Sequence, residues 1–143
     1  MSPDSTPSAY AGRRILEAME EAHAYADAIF AELTAAAGST GQVLDFSAGN
    51  GAFVRRFAAL GRSVDCVEPD TEFRKGLADF ATRIYVSIAD VDDQSYDFIY
   101  TVNVLEHIAD LERVCSGLRR VLRPGGTAVR FRAGLRNSLD QPG

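Results

Sequence analysis

Val43-Leu44-Asp45-Phe46-Ser47-Ala48-Gly49-Asn50-Gly51 is the stretch that decides the fold. A short apolar run ends on an acid and passes into small residues. Phe53, Phe57 and Leu60 then recur at steps of four and three, the repeat of one helical face. A buried strand that turns through glycines into a helix is the opening unit of a parallel sheet covered by helices. Gly49 and Gly51 can take positive φ, and the small residues around them let the backbone approach a ligand closely.

Reading upstream, residues 1–9 hold two prolines and little apolar surface, so a disordered tail is expected there. Ile15, Met19, Ala22, Ala26, Ile29 and Leu33 mark one face of a helix over residues 10–37, with room for a break near Gly12 and a stop at Gly38. Downstream, Gly61 ends the second helix and residues 63–68 form a second strand. Asp70 caps a helix with Phe73, Leu77 and Phe80 on its apolar face. Residues 83–87 and 96–102 are a third and fourth strand. Asp110 caps a helix bearing Leu111, Val114, Leu118 and Val121, Arg123-Pro124-Gly125-Gly126 forces a turn, and residues 127–132 are the fifth strand. The alternation predicts an α/β fold: a Rossmann-like, doubly wound, mainly parallel sheet of five strands with helices on both faces, residues 10–143 forming one cofactor-binding domain.

Composition narrows the function. With 143 residues, 46% of them hydrophobic and 24% charged, the chain suits one globular core. Its apolar runs fall well short of a bilayer span, and the polar N-terminus lacks a secretory signal, so no membrane association and a cytoplasmic location are expected. A net charge of −5 argues against nucleic acid as a partner. Arginines cluster between Arg113 and Arg136, which a solvated face near a helix C-terminus explains. Cys66 and Cys115 lack the spacing of a metal knuckle or a disulfide framework, so they are expected to be free thiols and no metal site is expected.

In open α/β sheets the ligand sits beyond the carboxyl ends of the strands, which places the loop at residues 45–51 at the site. Glu68, at the end of the second strand, offers a carboxylate that can accept from both hydroxyls of a ribose. A dinucleotide loop needs a third glycine where Val54 stands, and a triphosphate loop needs lysine and a hydroxyl residue where Ala52 and Phe53 follow Gly51. An adenosine site of another kind remains.

Val43 to Gly51 resembles the first motif of the class I S-adenosylmethionine-dependent methyltransferases, and Val64-Asp65-Cys66-Val67-Glu68-Pro69-Asp70 resembles their second. Tyr96-Asp97-Phe98-Ile99-Tyr100, Asn103-Val104-Leu105-Glu106-His107-Ile108 and Leu122-Arg123-Pro124-Gly125-Gly126 are similar to later motifs of the family's small-molecule branch, the type 11/23-like methyltransferases. The resemblance implies that Asp45 holds the methionine amino group, that the backbone of Ser47, Ala48, Gly49 and Gly51 lines the methionine moiety, and that Glu68 grips the ribose with Pro69 beside the adenine. It further implies Asp90 near the adenine amino group, and Asn103 and Val104 near the reacting methyl. His107 is a candidate general base, set against a structural role at a position where a histidine recurs across substrates.

Two departures from the family pattern stand out. Ser47 replaces the first glycine, which a serine tolerates at negative φ. The chain is also short at its C-terminus, stopping before the helix and two strands that follow the fifth strand in the family. Along that strand Val129 and Phe131 alternate with Ala128, Arg130 and Arg132, so residues 127–132 are expected to form an open edge through which a dimer or hetero-complex assembles. The function so implied is methylation of a small-molecule acceptor on oxygen, nitrogen or carbon, with release of S-adenosylhomocysteine. The alternative is a shortened, non-catalytic S-adenosylmethionine-binding module acting as a partner subunit. A nicotinamide-dependent oxidoreductase is disfavoured by Val54.

Overall fold

The computed structural model of the chain describes residues 9–39, 41–102, 108–132 and 135–138. These divide into two units at residues 35 and 36. The first is a single helix, α1 (Ala9–Ala37), which runs through Gly12 without the break that the sequence allowed and reaches two residues past the division. Of the expected tail at residues 1–9, residues 1–8 lie outside the described residues and Ala9 already opens the helix.

The second unit is a six-stranded sheet in the order β3-β2-β1-β4-β5-β6. The strands are β1 (Val43–Phe46), β2 (Asp65–Val67), β3 (Ile84–Tyr85), β4 (Tyr96–Val102), β5 (Leu122–Arg132) and β6 (Leu135–Ser138), and the connecting helices are α2 (Ala52–Ala59), α3 (Thr71–Leu77) and α4 (Leu111–Val121). The first five strands are parallel, as expected of the Rossmann-like fold. Their side chains sort onto two faces with the strand period of two. Leu44, Ile99 and Ala128 stand side by side across β1, β4 and β5 and pack with Leu118 and Val121 of α4. On the other face the Phe57 ring of α2 meets Tyr100 at 5.9 Å between centroids. Val54, the residue in place of a third glycine, is fully buried.

The open edge at residues 127–132 is overturned. β6 pairs antiparallel with β5 from Val129↔Ser138 to Arg132↔Leu135, so β5 has β4 on one side and β6 on the other. Leu135-Arg136-Asn137-Ser138 carries too little hydrophobic alternation to announce a strand, and it gains its hydrogen bonds by pairing antiparallel with β5. Assembly through a free fifth strand therefore loses its basis. Among the described residues no helix is long and apolar enough to cross a membrane.

Candidate functional site

The strand order reverses direction between β1 and β4, and in open sheets of this kind ligands bind beyond the carboxyl ends of the strands at such a point. A cavity of about 320 Å³ opens there, lined by Asp45, Ser47, Ala48, Gly49, Asn50, Ala52, Phe53 and Val102. A larger hollow, about 550 Å³, lies at the opposite end of the sheet between Ser63, Asp65, Arg83, Tyr85 and Tyr96. Its floor is self-satisfied: Tyr96 donates to Asp65 Oδ2 at 2.6 Å and the Arg83 N–H donates to Oδ1 at 3.1 Å, leaving the buried carboxylate no need of a ligand.

The first loop is built from backbone that glycine favours. Ser47 has φ 60°, Gly49 57° and Gly51 78°. Negative φ at Ser47, the condition under which serine suits that position, is not met: the residue is held in the left-handed region by its N–H, which donates to the Val67 carbonyl at 2.7 Å. A side chain there costs about 1–2 kcal/mol, so Ser47→Gly is expected to raise stability by about 1 kcal/mol after the added flexibility of the unfolded chain is subtracted. Thermal unfolding checks this; an unchanged or lowered melting temperature contradicts it.

Gly51 turns away from the cavity. A Cβ there would run into Leu77 Cδ2 of α3, so helix packing excludes a side chain at this position. Gly49, which lines the cavity, has open space where a Cβ would stand. Asn50 belongs to the loop expected at the site, though no role was expected of its side chain. Its side chain accepts from the Ala52 N–H at 3.2 Å and caps α2, whose preceding residue, Gly51, has no side chain to do so.

Glu68 stands at the carboxyl end of β2 and is 5% exposed. Its Oε1 accepts from the Gly49 N–H at 2.7 Å and its Oε2 from the Asp70 N–H at 2.8 Å, so one carboxylate joins the first loop to the second. Each oxygen keeps lone-pair capacity for a further donor. Pro69 follows it in the turn. Asp70 caps α3 by accepting from the N–H groups of Glu72 and Phe73 at 2.9 and 3.0 Å. Asp90 closes a capping box on a short 3-10 turn (Ile88–Asp90), accepting from the Ser87 N–H at 3.3 Å. It is exposed and not part of the cavity lining. Asn103, Val104 and His107 lie outside the described residues.

Asp45 is the group with the strongest chemical demand. It is 4% exposed, and burial pushes its carboxyl from the usual 3.8 up to about 7; the Tyr100 hydroxyl opposes the shift and the negative Glu68 adds to it. Tyr100 is itself fully buried, and its hydroxyl lacks a hydrogen bond of good geometry. No cationic side chain among the described residues pairs with Asp45. A buried carboxylate at the base of a cavity, without a cation, suits an incoming ammonium group. Both cysteines are free; Cys66 is buried and Cys115 half-buried.

Residues 44–129 match a family described as the methyltransferase domain. The chain belongs to this family. An uncharacterized methyltransferase of Mycobacterium sp. (strain JLS) is 39% identical to this methyltransferase domain over 92 residues, covering 61% of the chain and 36% of the relative. The chain thus spans about a third of the length of the curated mycobacterial relatives it matches. Among solved structures, the S-adenosylmethionine-dependent methyltransferase of Mesorhizobium loti superposes with a TM-score of 0.60 at 18% identity, covering 71% of this chain and 50% of that one. A Galdieria sulphuraria protein provisionally described as a sarcosine dimethylglycine methyltransferase does so with a TM-score of 0.63 at 28% identity, covering 81% and 48%.

Proposed function

We propose that the domain binds S-adenosylmethionine in the crevice between β1 and β4, and that the protein transfers its methyl group to a small-molecule acceptor in the cytoplasm. The observation that carries this reading is the buried Asp45 carboxyl below the cavity, with Glu68 bound to the Gly49 N–H beside it. The residues fit the ligand. Asp45 would hold its ammonium group, the backbone of residues 47–50 would line its methionine portion, and Glu68 would accept from its ribose hydroxyls. The bound sulfonium supplies an electrophilic methyl group, so the protein's task is to place an acceptor in line and keep water out. Asn103, Val104 and His107 stay assigned to the reacting end, with His107 as the candidate base, and Asp90 to the adenine. The methyltransferase match and the relatives so named favour an enzyme over the non-catalytic module.

Calorimetric titration with S-adenosylhomocysteine tests binding, and product formation with candidate acceptors tests transfer. Glu68→Ala is expected to weaken binding by about 1–3 kcal/mol, roughly 5- to 150-fold, because it removes a ribose acceptor and the tie between two loops. Glu68→Gln should weaken it too, since one amide N–H must then face a backbone N–H. A folded Glu68→Ala protein with the wild-type dissociation constant would take Glu68 out of the site.

A further inference from the structure

Two arginines outside the cavity converge on the loops that form it. The Glu68 N–H makes the last ladder bond of β2, to the Tyr85 carbonyl at 2.8 Å, after which the chain leaves the sheet and Pro69 has no N–H to give. Arg74, half-buried on α3, reaches back over this turn. Its Nη1 donates to the carbonyls of Glu68 at 3.0 Å and Pro69 at 2.6 Å, and its Nη2 donates to Thr71 Oγ1 at 3.1 Å. Arg55, on α2, does the same for the first loop. Its Nε donates to the Asn50 carbonyl at 3.1 Å and its Nη2 to the Gly76 carbonyl of α3 at 3.4 Å, while the guanidinium lies 4.3 Å from the centroid of the Phe80 ring.

The acceptors are informative. A cation that only decorated a helix surface would meet solvent or a carboxylate one turn away, as Lys75 meets Glu72 at 3.2 Å. The hydrogen bonds recorded for Arg74 and Arg55 go to neutral oxygens of the two loops and of α3 instead. Three of those five oxygens are carbonyls at Asn50, Glu68 and Pro69, next to the groups that would touch the ligand. A planar guanidinium can hold two carbonyls at a fixed angle, which an ammonium cannot.

We propose that Arg74 and Arg55 are positioning residues of the cofactor site, clamping the backbone of its two loops so that the Glu68 carboxylate and the Gly49–Asn50 backbone stand in binding geometry before the ligand arrives. The inference rests on the reading of the crevice as an S-adenosylmethionine site, and its mechanism is preorganisation: ordering completed during folding is not charged against binding.

The N–H groups of Gly49 and Asp70, both bound to Glu68, are direct reporters of the clamp in the ligand-free protein. Arg74→Met, Arg74→Lys and Arg55→Met, with Lys75→Met as control, are compared by amide hydrogen exchange at Gly49 and Asp70 and by calorimetric titration with S-adenosylhomocysteine. Arg74→Met is expected to speed exchange at both amides and to raise the dissociation constant, each by about tenfold. Arg55→Met should act mainly at Gly49, Arg74→Lys should fall between wild type and Arg74→Met, and Lys75→Met should change nothing. Wild-type exchange and affinity in Arg74→Met would overturn the proposal; if that variant does not fold, wild-type values in Arg74→Lys would overturn it. Absence of binding by the wild-type protein would refute the cofactor reading alone, since the exchange rates still report whether the arginines hold the loops.

Discussion

Gly51→Val is expected to destabilise the fold by about 2–5 kcal/mol, enough to lower the melting temperature by on the order of 10 °C. Two costs add. The residue has φ 78°, where a β-branched side chain is penalised by about 1–2 kcal/mol. Its Cβ would also enter the space of Leu77, a fully buried side chain of α3, and overpacking of this kind costs about 1–3 kcal/mol. The loop sequence alone suggests a different outcome, in which valine obstructs the ligand and spares the fold. With the crevice read as the cofactor site, that effect belongs instead to Gly49, which lines the cavity. Gly49→Ala meets open space and should cost about 1 kcal/mol of stability from its φ of 57°, while placing a methyl group at the wall of the cavity. Melting curves paired with S-adenosylhomocysteine titrations separate the two. A Gly51→Val protein that melts like wild type and loses only affinity would reverse the assignment.

The contrast between these two glycines shows how much of the site was legible in the sequence. The order of strands and helices follows from periodicity and turn residues, and the limits of β4 at Tyr96 and Val102 coincide with those the pattern predicts. The helix caps at Asp70 and Asp110 follow from residue type and position, and both side chains accept the backbone N–H groups expected of a cap. Other features depend on contacts that no local pattern encodes. Whether a glycine faces a ligand or a neighbouring helix is set by Leu77, 26 positions away from Gly51. The hydrogen bond from Gly49 to Glu68 spans 19 positions. The left-handed Ser47 follows from the Val67 carbonyl that captures its N–H. β6 was illegible because a four-residue edge strand depends on its partner's backbone more than on its own side chains.

Asp45 carries the second large effect, a dependence of cofactor binding on pH. Its folded-state pKa of about 7 lies above the ordinary 3.8, so the ligand-free fold is favoured by this group at low pH and loses that contribution as pH rises. The unfolded chain releases the proton near pH 4 and the folded chain near pH 7, so between these values the folded state holds more protons and stability falls. The full span is on the order of 4 kcal/mol. An ammonium group beside Asp45 stabilises the ionised carboxylate, so the bound state is deprotonated where the free state is not. Binding of S-adenosylhomocysteine should therefore release close to one proton at pH 6, and its dissociation constant should rise about tenfold for each unit below pH 7 and level off above it. Titrations in two buffers of different ionisation enthalpy measure the proton directly. Asp45→Asn should flatten the profile, bind more weakly at pH 8, and melt higher than wild type at pH 8 without ligand, because the buried charge is gone. A wild-type dissociation constant that stays level from pH 5.5 to pH 8 would show that the ligand's ammonium group does not meet Asp45.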